Sequence, residues 1–340
     1  AEAFAYRKAS IFPQGIIAKQ LKKIEDKEYS YEFIKLERDQ KGIVAKKTKK
    51  LPITTFPVKK KLEDKTGALV VWERPVKNPE FGMYYASIDP VSEGKTTTSD
   101  SLCSIFVYKN PIEITRDTPD GQETFIEKDK IVASWCGRFD DINKTHERLE
   151  LIIEWYKAWT IVENNISLFI QHMIAKRKQK YLVPKQQILF LKDLGSNASV
   201  FAEYGWKNTG TLFKNHLISY AIEYIREAID EELDDNGEII SQTLGVERIP
   251  DKMLLTEMSQ YYPGLNVDRL VAFAALVAFA RVQQSNRGYL KRKESDKSSN
   301  NLENSKNLYK LSMNPFKNIG RRKTRSNGNT SRRSPFKNIK

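Results

Sequence analysis

The stretch YYASIDPVSEGKTTTSD, residues 84–100, offers a choice between two chemistries. Gly94, Lys95 and Thr96 match the second half of the phosphate-binding pattern G-x-x-x-x-G-K-[ST], but Asp89 occupies the place of its first glycine. Residues 101–108 are rich in β-branched and aromatic side chains, which predicts a strand where a phosphate cradle requires the start of a helix. We therefore interpret the stretch as a hairpin that presents Asp89 at the end of its first strand.

The positive charge of the chain is concentrated at one end. The whole chain of 340 residues carries +14, and residues 291–340 contain 15 lysines and arginines against 3 acidic residues. This segment has few apolar residues, so we predict a basic, disordered tail. It contains two similar hexamers, NPFKNI at 314–319 and SPFKNI at 334–339. The tail either binds phosphate backbones or acidic protein surfaces, or it only keeps the protein soluble.

Cysteine content and hydropathy place further bounds on the class of protein. The two cysteines, Cys103 and Cys136, each fall in a predicted strand, which favours reduced core thiols in a cytosolic protein. No apolar run reaches the roughly 18 residues of a membrane span. The chain begins with Ala1 rather than Met, so we expect that another region precedes it.

The hydrophobic pattern predicts an α/β domain at residues 81–285 between a connecting region at 1–80 and a tail at 286–340. Three strands at 83–88, 101–108 and 125–138 should form an antiparallel meander. A helix capped near Asp140, a strand at 160–163, a helix at 166–178 and a strand at 187–191 follow. This alternation predicts a mixed sheet flanked by helices.

Further helices are predicted at 212–232, 251–260 and 267–283. The first ends in the acidic run 230–237, which we interpret as a solvated helix end and turn because it lacks the ligand spacing of a calcium loop.

Three acids lie where a predicted strand or helix meets a loop. Asp89 ends the first strand, Glu163 ends the fourth, and Asp268 begins the last helix. Such acids could hold two Mg²⁺ or Mn²⁺ ions about 3.5–4 Å apart for phosphodiester cleavage. Each also has an ordinary alternative: a strand-ending turn at Asp89, asparagine hydrogen bonds at Glu163, and a favourable helix-start charge at Asp268.

The order of these acids resembles the ribonuclease H-like nuclease domain of the large terminase subunit of tailed bacteriophages, over roughly residues 1–285. The matching features are Asp89, Asp100 in the hairpin, VENN at 162–165, YGWKNT at 204–209, LLTEM at 254–258 and Asp268.

This resemblance implies that Asp89, Glu163 and Asp268 are catalytic acids that bind two Mg²⁺ or Mn²⁺ ions. Asp100 would be a further metal-binding or supporting acid, or else a hairpin surface residue. The implied activity is an endonuclease that cuts concatemeric phage DNA during genome packaging. No Walker A motif is present, so the ATPase domain of the same subunit would lie outside this chain.

The implied partners are double-stranded DNA, the phage portal and the small terminase subunit, at the portal vertex of the procapsid in the host cytoplasm. Lys95, Lys207 and Lys214 would contact DNA phosphates or simply solvate the surface. Two alternatives stay open: a resolvase or transposase of the same fold, and a non-catalytic docking module of the packaging motor that binds portal or DNA.

Overall fold

The computed structural model describes residues 10–56, 64–94, 101–118, 121–165, 167–188, 203–207, 210–233, 239–288 and 290–293. All of them fall within one compact unit, Ala1–Asn300. The predicted basic tail lies outside the described residues, apart from its first few.

The described residues form strands and helices that we number in chain order. The strands are β1 (Glu32–Asp39), β2 (Gly42–Lys47), β3 (Leu69–Val71), β4 (Tyr84–Asp89), β5 (Cys103–Lys109), β6 (Ile112–Thr118), β7 (Gly121–Glu127), β8 (Lys130–Gly137), β9 (Trp159–Val162), β10 (Ala228–Leu233), β11 (Ile239–Leu244) and β12 (Leu290–Lys293). The helices are α1 (Gln14–Glu25), α2 (Ile142–Tyr156), α3 (Leu168–Ala175), α4 (Thr211–Arg226), α5 (Lys252–Gln260) and α6 (Asp268–Arg287).

A seven-stranded mixed sheet has the strand order β2-β1-β3-β8-β5-β4-β9. Neighbouring strands are antiparallel except for β4 and β9, which run parallel. Along the chain, β5 to β8 and α2 lie between these two strands. The predicted mixed α/β sheet is therefore confirmed, and so is the antiparallel adjacency of β4, β5 and β8.

Helices cover each face of this sheet. Side chains along β4 and β5 point alternately to the two faces, and on each face they pack into a hydrophobic core. On one face Tyr85 packs against Phe279 of α6, with ring centroids 5.0 Å apart. On the other face Tyr84 packs against Tyr156 of α2 at 5.2 Å. Burying each such ring contributes roughly 1.5–3 kcal/mol, so the central strands are held from both sides.

The meander differs in one respect from its prediction, which placed a single strand at residues 125–138. That segment is two strands, β7 and β8. β7 forms a hairpin with β6, and β12 adds to the same small sheet in parallel with β6. Thus Leu290–Lys293, predicted to belong to the tail, pairs with the folded body.

The region predicted to be a connecting segment, residues 1–80, contains three strands of the main sheet. β1 pairs with both β2 and β3, and β3 pairs with β8. Ile34 and Leu36 of β1 are buried in the core beneath α2. The same region also contains the helix α1.

One prediction in the second half of the chain is wrong, and another lies mostly outside the described residues. The helix predicted to extend to residue 232 ends at Arg226, and the acidic segment that follows forms β10, which pairs with β11. The strand predicted at 187–191 begins instead with a short 3₁₀ turn, Lys185–Gln187, and residues 189–191 lie outside the described residues.

The other helix predictions are confirmed as α2, α3, α5 and α6. Both cysteines are free and buried, as predicted. Across the described ranges, none of the helices combines the length and apolar character that crossing a membrane demands.

Candidate functional site

The parallel pairing of β4 and β9 brings Asp89 and Glu163 together. Ile88 and Val162 are register partners, and the Glu163 N–H donates to the Ile88 carbonyl oxygen at 2.9 Å. Parallel strands end at the same sheet edge, so the next residue of each strand, Asp89 and Glu163, lies side by side on one face. Pro90, which has no N–H for the ladder, follows Asp89.

Asp268 reaches the same place from the first turn of α6, the helix that covers this face. Its Oδ2 accepts a hydrogen bond from the backbone N–H of Leu102 at 2.8 Å. The Asn266 amide lies 3.4 Å from the same oxygen. A carboxylate at a helix N-terminus also interacts favourably with the helix dipole. The three sequence-predicted acids therefore converge from two strand ends and one helix start.

The electrostatics of the three acids show how close they are. Burial, followed by repulsion from Glu163 and Asp268, raises the pKa of Asp89 well above its ordinary value. A hydrogen bond between the Asp89 and Glu163 side chains contributes to the same increase. Burial likewise raises the pKa of Asp268, although the Leu102 N–H opposes it. Two carboxyl groups this close repel each other when both are ionised, so the folded protein disfavours the Asp89 carboxylate.

Lys214 of α4 supplies positive charge at this cluster. Its ammonium group lowers the pKa of both Asp89 and Asp268, which places it within electrostatic range of each. The Lys214 side chain is partly exposed, so it is open to an anionic ligand as well. A cation beside clustered carboxylates offsets part of their mutual repulsion.

Two asparagines follow Glu163 and have different tasks. The Asn165 amide donates to Glu163 Oε1 at 2.5 Å and orients that carboxyl group. The Asn164 side chain instead donates to the Tyr204 carbonyl oxygen at 3.1 Å. It thereby fastens the segment 203–207 alongside the end of β9. Gly205 in that segment has φ +78°, and a Cβ there would lie 2.6 Å from the Val162 carbonyl oxygen, so the close approach requires glycine.

A buried ion pair supports Asp268 from behind. Arg269 Nη1 donates to Glu257 Oε1 at 3.0 Å, and the Leu270 N–H donates to Glu257 Oε2 at 3.0 Å. Arg269 also donates to the Ile53 carbonyl oxygen at 2.8 Å. Glu257 therefore caps the first turn of α6, and this fixes the backbone from which Asp268 projects.

The chemistry of the site fits a hard divalent cation. All three acids offer oxygen ligands, which Mg²⁺ and Mn²⁺ prefer. The buried hydroxyl groups of Ser87 and Ser104 have no hydrogen-bond partner within the described part of the chain. Ser104 is the register partner of Asp89, and Ser87 precedes Asp89 by two residues. Both hydroxyl groups therefore lie on the same face of the sheet as the acids. Water bound around a cation would satisfy them.

Among the described residues, no group of three or more His, Cys, Asp or Glu side chains already has the spacing of a metal-binding site. The raised pKa of Asp89 favours its protonated form, so a divalent cation would have to displace that proton before the carboxyl group could act as a ligand.

The remaining predicted site residues divide into two groups. Asp100 and Lys95 lie outside the described residues. Lys207 is exposed, one residue after Trp206. Sequence reasoning named Asn165 and Glu257 only as parts of motifs, and it did not single out Ser104 or Arg138. A charged residue directly after the apolar strand β8 was the available signal for Arg138.

Comparison with known proteins adds no identification. No protein-family model matches this chain, and no curated protein matches it either.

Proposed function

We propose that this chain is the nuclease domain of a large terminase subunit of a tailed bacteriophage. In this role it is a metal-dependent endonuclease that cuts concatemeric phage DNA during packaging. The observation that carries the proposal is the convergence of Asp89, Glu163 and Asp268 at one sheet edge.

The strand order supports the ribonuclease H-like part of the proposal. β8, β5 and β4 are consecutive antiparallel neighbours, α2 crosses over, and β9 then adds in parallel beside β4. A ribonuclease H-like core has this same order of three antiparallel strands, a helix and a fourth strand parallel to the first. In that comparison Asp89 and Glu163 end the first and fourth strands, where the nuclease acids of such folds lie.

Asp89, Glu163 and Asp268 would hold the divalent cations, and Asp100 is a further proposed ligand. When bound, Mg²⁺ or Mn²⁺ supplies Lewis-acid activation of water and stabilises negative charge on phosphate oxygens. A proton bound to Asp89 must leave before this acid acts as a ligand. Asn165 then keeps Glu163 Oε1 oriented, and the Leu102 N–H keeps Asp268 Oδ2 oriented.

Phosphodiester hydrolysis adds one water oxygen to phosphorus and breaks one phosphorus–oxygen bond. The proton lost by the water must be accepted nearby, and the departing oxygen must receive one. The carboxylates are the available proton acceptors in this cluster. Lys214, whose positive charge acts on Asp89, would donate to a non-bridging phosphate oxygen and bring the DNA backbone toward the acids. Such contacts carry no sequence information, so cutting should tolerate many sequences.

The proposal is tested by incubating supercoiled plasmid with the protein and Mn²⁺ or Mg²⁺. We expect nicked and linear products from the wild type, and none from Asp89→Asn, Glu163→Gln or Asp268→Asn. Glu147→Gln is the matched control, because Glu147 is an exposed acid on α2. A docking module would leave the plasmid intact at every Mn²⁺ concentration, and that result would reject the nuclease proposal.

A further inference from the structure

Arg138 is a buried arginine immediately after β8, and its side-chain hydrogen bonds within the described residues go to backbone carbonyl groups. Only 4% of its surface is exposed. Its backbone N–H donates to the Lys65 carbonyl oxygen at 2.6 Å, which fixes the start of its side chain. A guanidinium group is costly to bury unless its N–H groups find acceptors. The position of those acceptors therefore indicates what the side chain does.

The Arg138 side chain donates to two backbone carbonyl groups, one that follows β4 and one that precedes β5. Nε donates to the Gly94 oxygen at 2.5 Å, and Nη1 donates to the Ser101 oxygen at 3.1 Å. Gly94 follows β4, and Ser101 precedes β5. The backbone at Gly94 has little room to move, since a Cβ there would lie 2.0 Å from the Asp140 carbonyl oxygen. Arg138 thus fixes both ends of the connection between β4 and β5.

The bond to Ser101 leads directly to a proposed metal ligand. The carbonyl of Ser101 and the N–H of Leu102 belong to the same peptide unit. Arg138 donates to one side of that unit, and the other side donates to Asp268 Oδ2 at 2.8 Å. Hydrogen bonds in such a chain polarise one another, so a charged donor at the carbonyl strengthens the N–H as a donor. Since the peptide is planar, fixing its carbonyl also fixes the direction of its N–H.

We propose that Arg138 is a positioning residue for the metal site: it acts through the Ser101–Leu102 peptide to hold the Asp268 carboxyl group for divalent cation binding. This inference rests on the proposed function. Both hydrogen bonds that Asp268 accepts from described residues end on Oδ2, one from Leu102 and one from Asn266. A carboxyl group held by one oxygen presents the other in a fixed direction.

The geometry requires arginine and not merely a positive charge. The planar fork of a guanidinium group can donate to two carbonyl oxygens at once, whereas a lysine ammonium group at the same position has a different reach and no fork. Arg138→Lys should therefore retain the charge and lose at least one of the two contacts. Arg138→Gln loses the charge as well.

The test measures Mn²⁺ affinity by isothermal titration calorimetry on the full chain, with thermal melting in EDTA as the check on folding. Residues that support metal ligands typically contribute 10–100-fold to metal affinity, so we expect Arg138→Gln to bind Mn²⁺ about 10-fold or more weakly. Arg138→Lys should fall between that variant and the wild type. The matched control is Arg148→Gln, because Arg148 lies over the Phe139 ring at 5.9 Å and gives no hydrogen bond to the site.

Plasmid nicking provides the second readout. We expect the Mn²⁺ concentration for half-maximal nicking to rise in Arg138→Gln and the rate at saturating Mn²⁺ to recover most of the wild-type value. A purely structural arginine would lower the melting temperature of the folded variant without changing its Mn²⁺ affinity, and that result would overturn the inference. If Arg138→Gln does not fold, the same comparison is made with Arg138→Lys.

The two proposals fail in distinguishable ways. Wild-type protein that neither binds Mn²⁺ nor nicks DNA would overturn the nuclease proposal and this inference together. Wild-type protein that binds Mn²⁺, with unchanged affinity in a folded Arg138 variant, would overturn the role of Arg138 alone.

Discussion

Asp89 and Glu163 lie side by side at the ends of neighbouring parallel strands, where the Glu163 N–H donates to the Ile88 carbonyl oxygen at 2.9 Å. The strand register places the two acids together, and the electrostatic cost of doing so is visible as a raised pKa at Asp89. Acids placed against each other in this way reduce the stability of a fold, which is a common cost of a binding site. The predictions below follow from that relationship and from the residues around it.

Asp89→Asn should make the metal-free protein more stable at pH 7. The raised pKa means that the folded state disfavours the Asp89 carboxylate, and each pKa unit corresponds to about 1.4 kcal/mol. We expect a larger free energy of unfolding than in the wild type, measured with urea in EDTA. The gain should shrink as pH falls from the raised pKa of folded Asp89 toward about 4, and it should be absent below about pH 4, where the carboxyl group is protonated in both folded and unfolded states. A less stable variant at pH 7 would contradict the assignment.

Lys214→Ala should weaken DNA binding and reduce its salt dependence. Removing one phosphate contact lowers the slope of log affinity against log salt by about one. The measurement is fluorescence anisotropy with a labelled duplex at several salt concentrations. Lys19→Ala is the control, because Lys19 is an exposed lysine on α1. Equal slopes for Lys214→Ala and the wild type would remove Lys214 from the DNA-binding surface.

Glu257→Gln should destabilise the fold. Both Glu257 oxygens accept hydrogen bonds, from Arg269 and from the Leu270 N–H, and the amide can offer only one acceptor oxygen. Leaving part of a buried ion pair unmatched costs about 3–5 kcal/mol. Glu223→Gln, which breaks the exposed pair between Glu223 and Arg281, should cost less than about 1 kcal/mol. Urea unfolding of the two variants compares these costs, and similar values for both would be inconsistent with the capping role of Glu257.

His146→Phe should make stability less dependent on pH between 4 and 7. Burial, and then the neighbouring His172, lowers the pKa of His146 to about 4, although Asp141 opposes the shift. The unfolded chain therefore takes up a proton at His146 near pH 6.5 and the folded protein does not, so stability falls as pH falls through this range. We expect roughly 2–3 kcal/mol of that loss to disappear in the variant at pH 4.5. Parallel stability curves for the two proteins would show that His146 does not carry the effect.

Truncation after Lys293 should leave thermal stability unchanged and weaken DNA binding at low salt. The folded body extends past the predicted start of the tail at residue 286, because the last turn of α6 and the β12–β6 pairing lie beyond residue 285. The deleted segment holds most of the chain's net positive charge, so its effect on DNA binding should fade at high salt. Truncation after Gln284 should lower the melting temperature. If truncation after Lys293 lowers it equally, the tail packs on the body and is not a detachable arm.

The centre of the fold was predictable because its pattern is strong and local. β4 and β5 are largely apolar runs, α2 and α6 show clear helical spacing, and an acid marks the end of β4, the end of β9 and the start of α6. Position at an element end made Asp89, Glu163 and Asp268 candidates, and their order matched the resemblance. Their meeting point depends on the β4–β9 register, which no single segment contains.

The misses have physical causes that are not local. In β1 only Ile34 and Leu36 alternate with charged residues, and two positions are too few to indicate a strand. The acidic residues of β10 suit a solvated helix equally well, and the strand is stabilised by its partner β11. Arg138 could not be assigned a role because its acceptors, Gly94 and Ser101, are more than 30 residues away along the chain.

The most direct test of the central claim is an anomalous-difference map from a crystal of this protein soaked in Mn²⁺. The account predicts anomalous peaks within about 2.0–2.6 Å of carboxylate oxygens of Asp89, Glu163 and Asp268. It also predicts that these peaks are absent in Asp89→Asn. A map with no peak among the three acids at saturating Mn²⁺ would contradict the account.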